Sequence, residues 1–303
     1  MHSLDKLIKV LGLSEIDTLE RLVSKGDLNY YISKLPCGRN IEVPLPQLKR
    51  IHKRLHNLLM RIEVPEYLNS GVKGRSNVKN AKDHVGKTAL LRLDIKKYYP
   101  SVTEKQIARC FVKSFSCSKK IADTLASILS INGHLPTGSP ISQSLSFAIN
   151  RPIFDHINIY SKSKSIVFTC YVDDLTFSGK VIPKGFCSYI MDYIKRNRNY
   201  DCHKIRTHKA TTIKSVTGVI IDGDEIKVKN KHRKKIKRLL YLYDFMVSRY
   251  KLDDEKLIRY LQCLLGHLFS AGQINNGYKK KGKDIVNQRK LLGVVAMNQN
   301  TTN

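Results

Sequence analysis

Ile166-Val167-Phe168-Thr169-Cys170-Tyr171-Val172-Asp173-Asp174-Leu175-Thr176-Phe177 decides how this chain is read. Two apolar, β-rich runs flank an Asp-Asp pair, which is the layout of a β-hairpin with adjacent carboxylates at its tip. Asp tolerates the positive φ of a tight turn, so the pair taken alone can serve the turn and nothing else. Upstream, Ala89-Leu90-Leu91-Arg92-Leu93-Asp94-Ile95 is an apolar strand with one carboxylate near its end. A strand-end Asp followed by a β-Asp-Asp-β hairpin suits a site where carboxylates from neighbouring strands hold divalent metal for phosphoryl transfer.

Charge points the same way. The 303 residues include 54 Lys and Arg against 25 Asp and Glu, a net charge of +29 spread along the whole chain. Such a chain repels itself unless a polyanion neutralises it, and nucleic acid releases counterions when it does so. A hydrophobic fraction of 42% allows a substantial core. Seven scattered cysteines without a C-x-x-C pair read as reduced thiols, which suits a cytoplasmic location. No apolar run approaches a membrane span, and Met1-His2-Ser3-Leu4-Asp5 lacks an apolar signal core. His52 and His56, spaced i, i+4 in a basic helical pattern, have no acidic co-ligand and read as a solvated helix face.

Working outward, Leu4, Leu7, Ile8 and Leu11 mark one amphipathic helix, and Ile16, Leu19, Leu22 and Val23 another. Tyr30-Tyr31-Ile32 and Ile41-Glu42-Val43 read as strands around a turn at 34–39. A helix follows Pro46, and residues 67–87 read as polar turns. Helices are expected over 102–115, 119–131, 142–158 and 186–197, with strand pieces near Ile205 and over 212–221. Between Lys227 and Arg238 eight of twelve residues are Lys or Arg, leading into a helical pattern through Tyr250. The class is α+β, with a soft boundary near residue 225.

Three segments resemble reverse transcriptases. Leu93-Asp94-Ile95-Lys96-Lys97-Tyr98-Tyr99-Pro100 looks like motif A, Leu135-Pro136-Thr137-Gly138-Ser139-Pro140 like motif B, and Tyr171-Val172-Asp173-Asp174 like motif C, in the family's order. Asn80-Ala81-Lys82-Asp83-His84 and Val216-Thr217-Gly218 resemble the N-A-x-x-H and V-T-G elements of retron reverse transcriptases in particular.

The resemblance implies a right-hand fold: fingers and palm over 1–225, and a basic helical thumb with its tail over 226–303. It implies RNA-directed DNA synthesis with Asp94, Asp173 and Asp174 as catalytic carboxylates. Together with the Ile95 carbonyl they would bind two Mg²⁺, or Mn²⁺. Tyr99 matches the aromatic gate that favours dNTPs, and Gly138 the motif B glycine. Thr137 replaces the usual glutamine, and Val172 the common alanine. Lys209 falls where motif D places a lysine, and Arg39 on the fingers hairpin is a candidate triphosphate contact. Asn80, His84, Val216, Thr217 and Gly218 would organise the fold or an RNA site. Lys227, Lys229, Arg233, Lys234, Lys235, Lys237 and Arg238 would grip nucleic acid.

The implied partners are a structured noncoding RNA serving as template and primer, its branched DNA product, a separate effector protein in bacterial anti-phage defence, and a host RNase H, since the region after the thumb is short for one. The rival readings are another bacterial reverse transcriptase class and a noncatalytic RNA-binding scaffold.

Overall fold

A computed structural model describes residues 3–86, 88–251 and 254–290. The residues beyond 290 that complete the expected thumb and tail lie outside the described residues.

In chain order the elements are α1 (Leu4–Leu11), α2 (Ile16–Lys25), β1 (Tyr30–Lys34), β2 (Asn40–Pro44), α3 (Pro46–Leu59), α4 (Asn77–Lys82), β3 (Ala89–Ile95), α5 (Tyr98–Ser101), α6 (Glu104–Phe115), α7 (Lys119–Leu129) and α8 (Ser142–Ser163). Then follow β4 (Val167–Tyr171), β5 (Asp174–Gly179), α9 (Phe186–Arg198), β6 (Cys202–His208), β7 (Lys214–Val216), β8 (Val219–Asp222), β9 (Glu225–Val228), α10 (Asn230–Tyr241), α11 (Tyr243–Arg249), α12 (Glu255–Gly272) and α13 (Asn276–Lys290).

The chain forms two compact units, one comprising 1–76 with 89–207, the other 77–88 with 208–303. The larger unit is built on a four-stranded sheet in the order β4-β5-β3-β6. The apolar alternation of β3 explains its place inside this sheet. Leu91, Leu93 and Ile95 are buried on one face, while Arg92 and Asp94 point to the other. Phe168, Phe177 and Phe186 pack in the same core, Phe168 stacked on Phe177 with centroids 5.1 Å apart and Phe186 edge-on to Phe177. Truncating the fully buried Phe177 would cost about 3–5 kcal/mol. Helix α6 begins with a reciprocal cap. The Thr103 hydroxyl accepts from the Gln106 amide, and the Gln106 side chain accepts from the Thr103 amide. The β1-β2 hairpin is antiparallel, with Tyr30 opposite Pro44.

The expected solvated face of α3 is corrected. His52 is fully buried. Its Nε2–H donates to the Ile128 carbonyl at 2.9 Å, so its Nδ1 accepts from the Ser139 hydroxyl at 2.6 Å. Burial holds this imidazole neutral, with its pKa pushed down to about 4. His56 is half-buried and bonds Ser144 Oγ at 2.9 Å.

The smaller unit has a three-stranded sheet, β7-β8-β9, and helices α10 to α13 around a core of Ile236, Leu257, Leu264 and Leu268. Two features depart from the sequence reading. The segment read as polar turns contains helix α4, and the start of the basic run, at Lys227, is a strand paired to β8. Ile226 facing Ile221 supplies the apolar pairing there.

Candidate active site

The hairpin of β4 and β5 carries the Asp-Asp pair, with Tyr171 opposite Asp174. Its turn places Val172 at φ +61°, a conformation costly for a β-branched residue. The Ser70 hydroxyl supports that turn by accepting from the Val172 amide at 2.9 Å. Strand β3 lies alongside β5, with Asp94 directly opposite Asp174, and the Ile95 amide donates to the Asp173 carbonyl at 3.0 Å. Opposed residues of an antiparallel pair share a face, so Asp94 and Asp174 project to the same side. The Ile95 side chain is buried.

The charges are crowded. Burial first, and then the neighbouring charge of Asp94 and, more weakly, of Asp174, push the Asp173 carboxyl above the ordinary carboxylate range. Basic side chains lie against its two companions. Lys204 on β6 reaches Asp94 Oδ2 at 3.0 Å, His203 bonds Asp94 Oδ1, and Arg92 reaches Asp174 Oδ1 at 3.1 Å. Sequence reading missed His203, Lys204 and Arg92 as partners. Their only signal was position on polar faces of strands whose order the sequence does not give.

Among the described residues no three His, Cys, Asp or Glu side chains are gathered as ion ligands. The donor set nevertheless fits a divalent cation. It consists of hard oxygens, and its mutual repulsion at Asp173 is what a bound cation relieves. Asp94 and Asp174 would have to exchange their present cationic partners for such an ion.

Around the carboxylates, Tyr99 is mostly buried. Burial and the charge of Asp173 push its phenol up to about 12, while Arg39, within electrostatic reach, opposes this. Arg39 itself is exposed at the end of the β1-β2 turn, where its carbonyl accepts from the Leu35 amide at 2.8 Å. Gly138 donates its amide to the Glu42 carbonyl at 2.9 Å, and a Cβ there would lie 2.7 Å from that oxygen. Glycine is therefore required by the approach of β2. Thr137 bonds the Glu42 carboxylate through its amide at 3.0 Å and its hydroxyl at 3.2 Å. Lys209 is exposed in the segment after β6.

A cavity of about 730 Å³ also lies in the larger unit, lined largely by apolar side chains including Leu68, Val72 and Phe147, and bounded by Val172.

In the smaller unit, the N-A-x-x-H and V-T-G segments meet. Val216 pairs with Val219, leaving Thr217 and Gly218 as a two-residue hairpin loop with φ of +44° and +87°. Two positive φ values make a tight turn matched to the strand twist, which suits glycine and strains threonine. The Thr217 hydroxyl donates to the Asn77 carbonyl at 2.9 Å and accepts from Asn80 Nδ2 at 3.4 Å. Asn77 Nδ2 donates to the Thr217 carbonyl at 3.2 Å. Asn80 and His84 are buried, and burial pushes the His84 imidazole down to about 4.

On α10, Arg233, Lys234, Lys235, Lys237 and Arg238 are exposed around the buried Ile236. Lys229 is exposed just before the helix. Lys227 is engaged by Asp222 at 2.8 Å and Glu225 at 3.5 Å, which offsets its charge.

No family model matches the sequence. The chain is 27% identical over 260 residues to the retron Se72 reverse transcriptase of Salmonella heidelberg, covering 79% of this chain and 67% of that protein. It is 27% identical over 191 residues to the retron Ec86 reverse transcriptase of Escherichia coli, covering 61% of this chain and 59% of that protein. In structure it resembles apo telomerase from Candida Tropicalis, with a TM-score of 0.51 at 11% identity, over 84% of this chain and 58% of that one. Among the described residues no helix is long and apolar enough to cross a membrane. By sequence the chain is similar to retron reverse transcriptases, and its fold is that of a reverse-transcriptase polymerase.

Proposed function

We propose that the chain is an RNA-directed DNA polymerase of retron type. The observation that carries this reading is the carboxylate cluster on adjacent strands: Asp94 opposite Asp174, with Asp173 joined through its backbone to Ile95. Asp94, Asp173 and Asp174, with the Ile95 carbonyl, would hold two Mg²⁺ or Mn²⁺ ions, which when bound supply Lewis acidity for nucleotidyl transfer. Tyr99 crowds a ribose 2′-hydroxyl and so favours dNTPs. Gly138 and Thr137 form the wall beside the incoming nucleotide, and Arg39 and Lys209 neutralise its phosphates. The exposed cations of α10 grip the RNA or the RNA–DNA duplex, in a thumb taken as 226–303 against fingers and palm over 1–225.

The partner in this reading is a structured noncoding RNA that is both template and primer, giving a branched RNA-linked DNA. The enzyme works in the bacterial cytoplasm within anti-phage defence, with a separate effector and a host RNase H removing template. The resemblance of Asn80-Ala81-Lys82-Asp83-His84 and Val216-Thr217-Gly218 to retron elements supports this assignment over other reverse transcriptase classes.

The test is expression in bacteria followed by isolation and sequencing of the nucleic acid held by the protein. A small, RNase-sensitive, branched RNA–DNA species is expected. Bound RNA without DNA, together with no metal-dependent primer extension, would reduce the chain to a scaffold.

A further inference from the structure

Helices α8 and α9 bring five rings together in two adjoining stacks, Phe186-Tyr160-Tyr189 and His156-Tyr193, that run from the core to the surface of the larger unit. Phe186 is buried, and Tyr160 stacks on it with centroids 5.5 Å apart and planes 16° from parallel. Tyr189 stacks on Tyr160 at 4.0 Å and 27°. His156 follows at 6.4 Å and 27° from Tyr189, whose hydroxyl it bonds through Nε2 at 3.0 Å. Tyr193 stacks on His156 at 4.0 Å and 12°. The spacing creates the stacks, because His156 and Tyr160 lie one turn apart on α8, as do Tyr189 and Tyr193 on α9.

Tyr160 and Tyr193 are half-buried and rest against the core, and His156 is half-buried, yet the group still reaches solvent. Tyr189 is exposed, and Ile159 beside Tyr160 in sequence is 67% exposed. Packed aromatics prefer offset or edge-to-face contacts, whereas near-parallel rings at 4.0 Å have the spacing and orientation by which a nucleobase extends a stack. The stacks are flanked by cations. Lys164 Nζ lies 5.9 Å from the Tyr160 centroid, Lys162 is exposed near the end of α8, and Arg196 is exposed one turn beyond Tyr193. Rings interleaved with cations complement bases interleaved with phosphates.

We infer that the α8–α9 face is a docking surface for an unpaired stretch of RNA, whose bases continue the stacks of Tyr160, Tyr189, His156 and Tyr193. The inference rests on the polymerase reading for the existence of a dedicated RNA. It assigns that RNA a contact surface separate from the carboxylate cluster. Sequence tolerance is expected, since every base has a π-face.

The test uses the full chain carrying Tyr189→Ala with Tyr193→Ala, beside a control carrying Tyr189→Phe with Tyr193→Phe. Affinity is measured for the RNA that copurifies with wild-type protein, and extension for a generic primed RNA oligonucleotide. The alanine pair should weaken RNA binding on the order of tenfold. The phenylalanine pair should hold it within about twofold, because it keeps the rings. Both should extend the generic primer at the wild-type rate. Undiminished RNA affinity in the alanine pair overturns the inference. So does an equal loss of generic extension, which marks a folding role. Loss of a bound protein with RNA affinity intact overturns it in favour of a protein partner. Wild-type chain that binds no RNA and extends no primer overturns the polymerase reading itself, which separates that failure from the others.

Discussion

Glu42 on β2 and Thr137 in the loop before α8 are joined by three hydrogen bonds. The Glu42 amide donates to the Thr137 hydroxyl at 3.1 Å, and the Thr137 amide and hydroxyl both donate to Glu42 Oε2. His134 holds the other carboxylate oxygen at 3.0 Å. Thr137 thus fastens the β1-β2 hairpin to the loop before α8. Glu42→Ala should lower stability by about 1 kcal/mol, because it removes the acceptor of half-buried donors on Thr137 and His134. Thr137→Ser should stay near wild type, because it keeps the hydroxyl. Urea melts of the three proteins check this.

Asp173→Asn should reduce primer extension by more than about a hundredfold, since in the proposed reading it removes a carboxylate that would hold a cation worth several kcal/mol to the transition state. RNA affinity should be nearly unchanged. Chelation should abolish wild-type extension, and added Mg²⁺ should restore it. Full extension by folded Asp173→Asn protein would refute the assignment.

Tyr99→Val should raise ribonucleotide incorporation relative to deoxyribonucleotide by about tenfold or more, because it opens space at the sugar. Competition of ATP against dATP on a primed template measures the ratio. An unchanged ratio would leave Tyr99 a packing residue.

His52 makes stability depend on pH. Its folded pKa of about 4 lies below the unfolded value of 6.5, so the unfolded chain binds the extra proton between these values. The contribution is fully present above the unfolded value and is lost as pH falls through the window. At pH 5 the loss should be about 2 kcal/mol. Replacing His52 with Gln should flatten that part of the profile, as read from denaturant melts between pH 7.5 and 5.

Neutralising Lys234, Lys235, Lys237 and Arg238 to Gln should weaken RNA binding and make the slope of log affinity against log salt shallower. The change should be roughly 3 if all four meet phosphates. An unchanged slope would move the nucleic acid away from α10.

The parts legible in sequence were those set by local pattern. Apolar alternation located β3, paired apolar runs located β4 and β5, and helical spacing located α1, α2, α6 and α7. Asn77–Lys82 escaped because six mostly polar residues show no period, and its helix is held by β7 and β8. His52 escaped because a basic neighbourhood hides that it shares the inward face of α3 with Leu48, Ile51 and Leu55. The neighbours of Asp94 escaped for another reason. His203 and Lys204 reach it only because β6 adds to the sheet beside β3, and strand order is a tertiary outcome.

The smaller unit is discontinuous, since Asn77–Thr88 packs with residues that follow Thr207. During synthesis the Asn80 side chain emerges well before Thr217 exists to receive it. At ordinary translation speeds that wait is on the order of ten seconds. The larger unit is itself completed only by β6, just before Thr217 is made, so the insertion waits through nearly the whole synthesis of that unit, and a chain cut after β6 would carry every strand of the larger sheet without the residues that Asn80 meets at Thr217.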